Sequence, residues 1–258
     1  MRRAGLMALL LAAVSALSIA PLRAQWGAPP EVSYQNTPYN ARFTFARLRF
    51  RPSQWGPGQY MWGLDLKWNH DYPRGETHFL KILKETTSIE TNPMSNIVAV
   101  DDPELFNYPV AYLCEPGFWT MDEKETQALR RYLLKGGFLI FDDFAGRDLD
   151  NLVEQLRKVL PSGRLVEIDA THAIFDSFFK IEALPAMHPL PQYYRFGAAR
   201  YYGIFEDNDP KKRLLLIANY NNDISEYWEF SDEGWLPIEL SNEAYKLGVN
   251  YVVYGMTH

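Results

Sequence analysis

The chain of 258 residues carries a single cysteine, Cys114. One thiol closes no internal disulfide, so stability has to come from a packed core. The chain also lacks G-x-S-x-G, a Walker loop, G-x-G-x-x-G and H-E-x-x-H. Each absence removes the central element of a reaction class: the serine elbow, the phosphate cradle, the dinucleotide turn and the helical zinc pair. No basic cluster occurs and the formal charge is −6. Phosphate backbones are held by concentrated Lys and Arg, so nucleic acid is not an expected partner. Beyond the first two dozen residues no apolar run approaches the length of a membrane span.

What is present begins with residues 1–24, MRRAGLMALLLAAVSALSIAPLRA. A basic start, a short apolar core, no acid and small residues near the end form a secretory signal peptide. Cleavage is expected after Ala24, and a retained anchor is the alternative. The mature part is then expected to be exported, periplasmic or extracellular, soluble, and without a membrane span. Losing Arg2, Arg3 and Arg23 makes it more acidic still. Residues 25–40, rich in Pro, Asn and Gln, read as a flexible lead-in, and 41–258 as one domain.

With 47% hydrophobic and 15% aromatic residues, the chain has ample material for a core. Strands are predicted at 43–50 (FTFARLRF), 97–100, 108–114 (YPVAYLC), 138–142 (FLIFD) and 164–168 (RLVEI). Helices are predicted at about 75–87, from Thr120 to a left-handed stop at Gly136, and at 148–160. Thr120 and Glu123 have the spacing of a capping box. Strand–helix alternation with short links implies parallel strands and right-handed crossovers. The FLIFD run alternates too little for a sheet covered on one side only. The predicted fold is therefore an α/β three-layer sandwich with a mostly parallel sheet. A C-terminal hairpin around the 207–210 turn and a closing helix at about 241–254 complete it.

In open α/β sheets ligands bind beyond the carboxyl ends of the strands. That rule selects Asp142 and Asp143, which end the FLIFD strand. Two acids there can hold a divalent cation or share acid–base work. The bland alternative has Asp143 accepting backbone amides while Asp142 pairs with a base. His172, past the RLVEI strand, is a candidate to approach the same edge and assist Asp143 in catalysis. The aromatic loop from Trp55 to Tyr72 offers Trp68 for stacking, and Arg74 adds a donor for an anion; the loop's own small core is the competing role. His70 and His78 do not share a helical face, which disfavours zinc. Cys114, between Leu113 and Glu115, reads as a buried, inert thiol, because a neighbouring carboxylate raises its pKa.

The segments FTFARLRF, WNHDYPR, YPVAYLCEPGFWTMDEKETQALRRYLLKGGFLIFDD, HAIFDSFF and LGVNYVVYGMTH resemble those of a bacterial family, domain of unknown function 4159. The family is similar to the class I glutamine amidotransferase-like, flavodoxin-like fold. The resemblance implies that Asp142 and Asp143 occupy the elbow where amidotransferases keep their nucleophilic cysteine, with Cys114 one strand earlier. A pocket location carries over, and glutaminase chemistry does not. The expectation is an exported binding or accessory module that lacks the nucleophile, with Asp142, Asp143, Trp68, Arg74 and His172 lining its pocket. No cofactor is expected, and the partner would be a small molecule or an envelope protein. The alternative is a hydrolase using Asp143 and His172, with a divalent metal where one binds.

Overall fold

FLIFDDF, Phe138–Phe144, forms the middle strand of a seven-stranded sheet, and all its residues but Asp143 are buried. The structure is a computed structural model that describes residues 34–53, 58–60, 63–191 and 193–258. The segment expected to be a leader, residues 1–24, and Trp55 and Trp62 of the aromatic loop lie outside the described residues.

The sheet comprises β1 (Ala46–Arg49), β2 (Asn96–Ala99), β3 (Val110–Cys114), β4 (Phe138–Phe144), β5 (Val166–Glu167), β6 (Arg200–Phe205) and β7 (Leu214–Tyr220). Their order is β2-β1-β3-β4-β7-β6-β5. The pairs from β2 through to β7 are parallel, and β6 runs antiparallel to both of its neighbours. The helices are α1 (Arg74–Thr86), α2 (Glu123–Leu134), α3 (Asp148–Val159), α4 (Ile224–Glu229) and α5 (Ile238–Thr257). Phe79, Leu80 and Leu83 of α1 and Ala244, Leu247 and Tyr251 of α5 join Val110, Tyr112, Phe138 and Ile140 in one core cluster. α2 and α3 pack together on the other face, where Tyr132 donates to the Tyr108 carbonyl at 2.9 Å. Helices cover both faces, so the expected three-layer α/β sandwich is observed.

Local sequence accounts for most element ends. Gly136 ends α2 with φ of 117°, a region costly for any residue bearing a Cβ. The capping box, however, sits two residues later than predicted. Asp122 accepts the Glu125 amide at 2.9 Å, and Glu125 accepts the Asp122 amide at 2.7 Å. TMDEKE offers the same spacing in two frames, and Thr120 is taken by a short strand pairing with Arg51. Asn36 and Thr37, expected in a loose lead-in, instead cover the open edge of β2 through hydrogen bonds of 2.8–2.9 Å to Ile97 and Asn96. A covered edge cannot template another strand.

One buried ion pair positions the loop that builds the site. Arg47 of β1 and Glu76 of α1, each 1% exposed, bond through Nε and Oε1. Arg47 Nη1 also donates to the Trp68 carbonyl at 2.8 Å, and its guanidinium lies 4.8 Å from the Tyr112 ring centroid. The segment before α1 is thereby tied down at the carboxyl ends of β1 and β3.

Candidate functional site

β1 is flanked by β2 on one side and β3 on the other. Between them the chain switches the direction in which it adds strands, and such a switch opens a crevice beyond the carboxyl ends. Residues Asp65 to Asp71, the ends of β3 and β4, and the turn between β7 and α4 all meet at this edge.

Asp142 is fully buried and spoken for. Its Oδ2 accepts the amides of Ile224 and Ser225 at 3.0 Å each and the Tyr112 hydroxyl at 3.2 Å, and its Oδ1 accepts Asn219 Nδ2 at 3.1 Å. It thus holds the first turn of α4 with no ion pair to a Lys or Arg among the described residues, which reverses the bland alternative that gave the amides to Asp143. Burial, then the neighbouring Asp143 charge, push its carboxyl up to about 7.

Asp143 stands at this edge on a left-handed backbone, φ 53°, with its side chain 11% exposed. A non-glycine residue in that region is strained, and strain of this kind gathers at functional sites. Its Oδ2 lies 3.4 Å from His70 Nδ1 and accepts the Cys114 thiol at 3.7 Å, while Oδ1 accepts the Tyr193 hydroxyl. Burial works to raise its pKa, but the bonds and charge of His70, with Tyr193 and Cys114, outweigh it and leave the carboxyl below its ordinary range. His70 is correspondingly a cation. Burial lowers it, yet Asp143 and Glu115 raise it further, to about 9. Glu115, also left-handed at φ 47°, follows β3 and is pushed up to about 8 by burial and the Asp143 charge.

A second group of acids adjoins the first. Single oxygens of Asp71, Glu226 and Glu229 lie within 4.8 Å of one another. Burial first, then Asp71, pushes Glu226 up to about 9 and Glu229 up to about 7. Asp223, which caps α4 by accepting the Glu226 amide at 3.1 Å, is raised well above its ordinary value by burial and Asp143. Among the described residues, no ion pair joins Asp71, Glu226 or Glu229 to a Lys or Arg. Carboxylates crowded this way share protons or a cation, because bare charges at this separation repel.

The nucleophiles at this edge are muted. Cys114 is fully buried, and burial followed by the Asp143 charge raises its thiol well above the ordinary range. Ser225 is equally buried; its hydroxyl donates to Asp71 and accepts from Tyr112 at 2.7 Å.

Of the sequence-predicted residues, Asp142 and Asp143 stand at this edge, and Trp68 is buried beside it at 3% exposure with its carbonyl on Arg47. Arg74 sits on the outer rim, engaged with Asp232 at 2.6 Å and with Glu233. His172 is at the opposite edge, contrary to the expectation. The chain turns back after β5, and the ring packs 5.4 Å from Phe205 and 5.9 Å from Tyr254, whose hydroxyl accepts the amide of Leu214 at the start of β7. Sequence reasoning set His70 aside, expected the segment of Glu115 at this edge without giving that residue a role, and missed Asp65, Asp71, Tyr193, Glu226 and Glu229. The polar run HDYPR beside Trp68 was the available signal.

Residues 44–256 match the family described as domain of unknown function (DUF4159). A search of curated proteins finds no match. The family match spans most of the chain, which belongs to that family.

Proposed function

We propose that the chain is an exported binding or accessory module whose carboxyl-edge crevice takes a positively charged ligand. The carrying observation is the crowding of carboxyl groups at that edge. Asp71, Glu226 and Glu229 crowd their oxygens within 4.8 Å, and the nearby Arg74 charge, which lowers Glu229, is engaged in ion pairs with Asp232 and Glu233 instead. A cation entering there takes the place of the protons that Glu226 and Glu229, raised to about 9 and about 7, hold between them and Asp71. The buried Cys114 thiol supports the non-catalytic half of the reading, since acyl transfer needs an exposed thiolate. The export half rests on the basic and apolar character of residues 1–24.

Calorimetry of the full mature chain with Mg²⁺, Ca²⁺, Mn²⁺, Zn²⁺ and a linear diamine tests the reading. Saturable heat from at least one of them is expected, and no heat from any contradicts it. N-terminal sequencing of protein recovered from the cell envelope should begin at Gln25.

A second reading is hydrolysis with Asp143 as base or metal ligand. The Asp143–His70 contact at 3.4 Å favours it, with His70 in the assisting role first given to His172. Turnover of an envelope substrate, abolished in Asp143→Asn, would establish it over the non-catalytic reading.

A further inference from the structure

Lys67 Nζ lies 2.6 Å from Asp65 Oδ2 and 3.5 Å from Glu115 Oε2. His70 completes the surround, with Nε2 3.3 Å from Asp65 Oδ1 and Nδ1 3.5 Å from Glu115 Oε1. One donor atom from each of Asp65, His70 and Glu115 falls within 4.8 Å of the other two. The Asp65 and Glu115 side chains are 8% and 13% exposed. Glu115 Oε2 is itself buried and accepts no hydrogen bond among the described residues; the Lys67 ammonium at 3.5 Å is the cation that faces it.

We propose that Asp65, His70 and Glu115 form a site for a divalent transition-metal ion such as Zn²⁺ or Mn²⁺, with the Lys67 ammonium as a tethered competitor for the same carboxylate oxygens. The inference rests on the cationic-ligand reading above and narrows it from charge to donor set. One imidazole nitrogen with two carboxylates suits Zn²⁺ and Mn²⁺, whereas Mg²⁺ and Ca²⁺ prefer oxygen alone. The neighbouring Asp71–Glu226–Glu229 group, all oxygen, is the contrasting site.

The surroundings of His70 are those of a metal ligand. With Nε2 turned to the ion beside Asp65, Nδ1–H faces Asp143 Oδ2 at 3.4 Å and Glu115 Oε1 at 3.5 Å, which leaves Glu115 Oε2 for the ion. A carboxylate behind the imidazole fixes its tautomer and makes it a better donor. Asp143 is held for that task by Tyr193. Lys67 has somewhere to go when displaced, since its Nζ already lies 4.5 Å from the centroid of Phe118.

The test is titration of the full chain with Zn²⁺, Mn²⁺, Mg²⁺ and Ca²⁺ by calorimetry, with bound Mn²⁺ also read by electron paramagnetic resonance. Far-ultraviolet circular dichroism establishes that each variant is folded. Zn²⁺ and Mn²⁺ should bind more tightly than Mg²⁺ or Ca²⁺. Glu115→Gln and His70→Gln should each weaken them at least about tenfold, the scale seen even for outer partners of a ligand. Lys67→Met should tighten them severalfold, and Glu206→Gln, at the opposite edge of the sheet beside Arg213, should leave them unchanged. Zn²⁺ and Mn²⁺ affinities untouched by Glu115→Gln and His70→Gln, or weakened by Lys67→Met, overturn the inference. Binding lost only in Glu226→Gln overturns it while leaving the cationic-ligand reading intact. Silence from every cation and from the diamine defeats both.

Discussion

The Asp142 carboxylate accepts the Ser225 amide at 3.0 Å, joining the end of β4 to a helix that starts some eighty residues later. The bond is part of a buried chain from Asp71 through Ser225 and Tyr112 to Asp142, Asn219 and Tyr251. Asp142→Ala leaves two amides and a carboxamide without their acceptor, while the Tyr112 hydroxyl keeps Ser225. It should cost about 3 kcal/mol or more in urea unfolding, from the desolvation of unsatisfied buried donors. A cost below about 1 kcal/mol would mean these groups find other partners.

The Arg47–Glu76 pair gives a second stability test. Removing one partner strands a buried charge, so Arg47→Met alone should cost about 3–5 kcal/mol. Arg47→Met with Glu76→Leu should cost much less than the two single changes added, because no charge is left behind. Additive costs would show that the pair acts through packing alone.

The fold was legible because its signals are local. FLIFD has to be buried on both faces, Gly136 has to end a helix, and Leu152 and Leu156 mark the apolar stripe of α3. The capping frame was ambiguous because Thr120 and Asp122 both precede a glutamate by three residues. Helix α4, six residues long, is too short to show a period. The site was half legible. Asp143 follows from strand polarity and the carboxyl-edge rule. His70, Asp71 and Glu226 reach it only through the Arg47 anchor and the placement of α4 on Asp142, contacts between distant parts of the chain. His172 was misplaced because a strand's direction does not say where the following loop turns.

Stability should fall as pH rises from 5 to 9. His70, held up at about 9, contributes stabilisation that is whole below its ordinary 6.5 and lost as pH passes 9. Glu115 and Glu226, raised to about 8 and about 9, are neutral in the native chain and ionised when unfolded. Their unfavourable contribution grows from 4.5 upward, the same direction as His70. Asp143, whose carboxyl is lowered, acts only below 3.8. Differential scanning calorimetry should show Tm decreasing across this range, with Glu226→Gln reducing the slope. A Tm rising with pH would contradict these assignments.

The Cys114 thiol should be inert in the folded chain. Iodoacetamide at pH 8 is expected to modify it only after denaturation, and Cys114→Ala should bind every ligand as the parent does. Rapid labelling of the native protein would place the sulfur at an accessible surface and reopen nucleophilic chemistry.

The most direct measurement is the heat of adding divalent cations and a diamine to the chain at pH 7, compared with the Glu226→Gln/Glu229→Gln/Glu115→Gln variant. Saturable binding to the parent, lost when those carboxylates become amides in a variant that still folds, is the predicted result. Equal heats from both proteins, or none from the parent, would contradict a cation-binding crevice at the carboxyl edge.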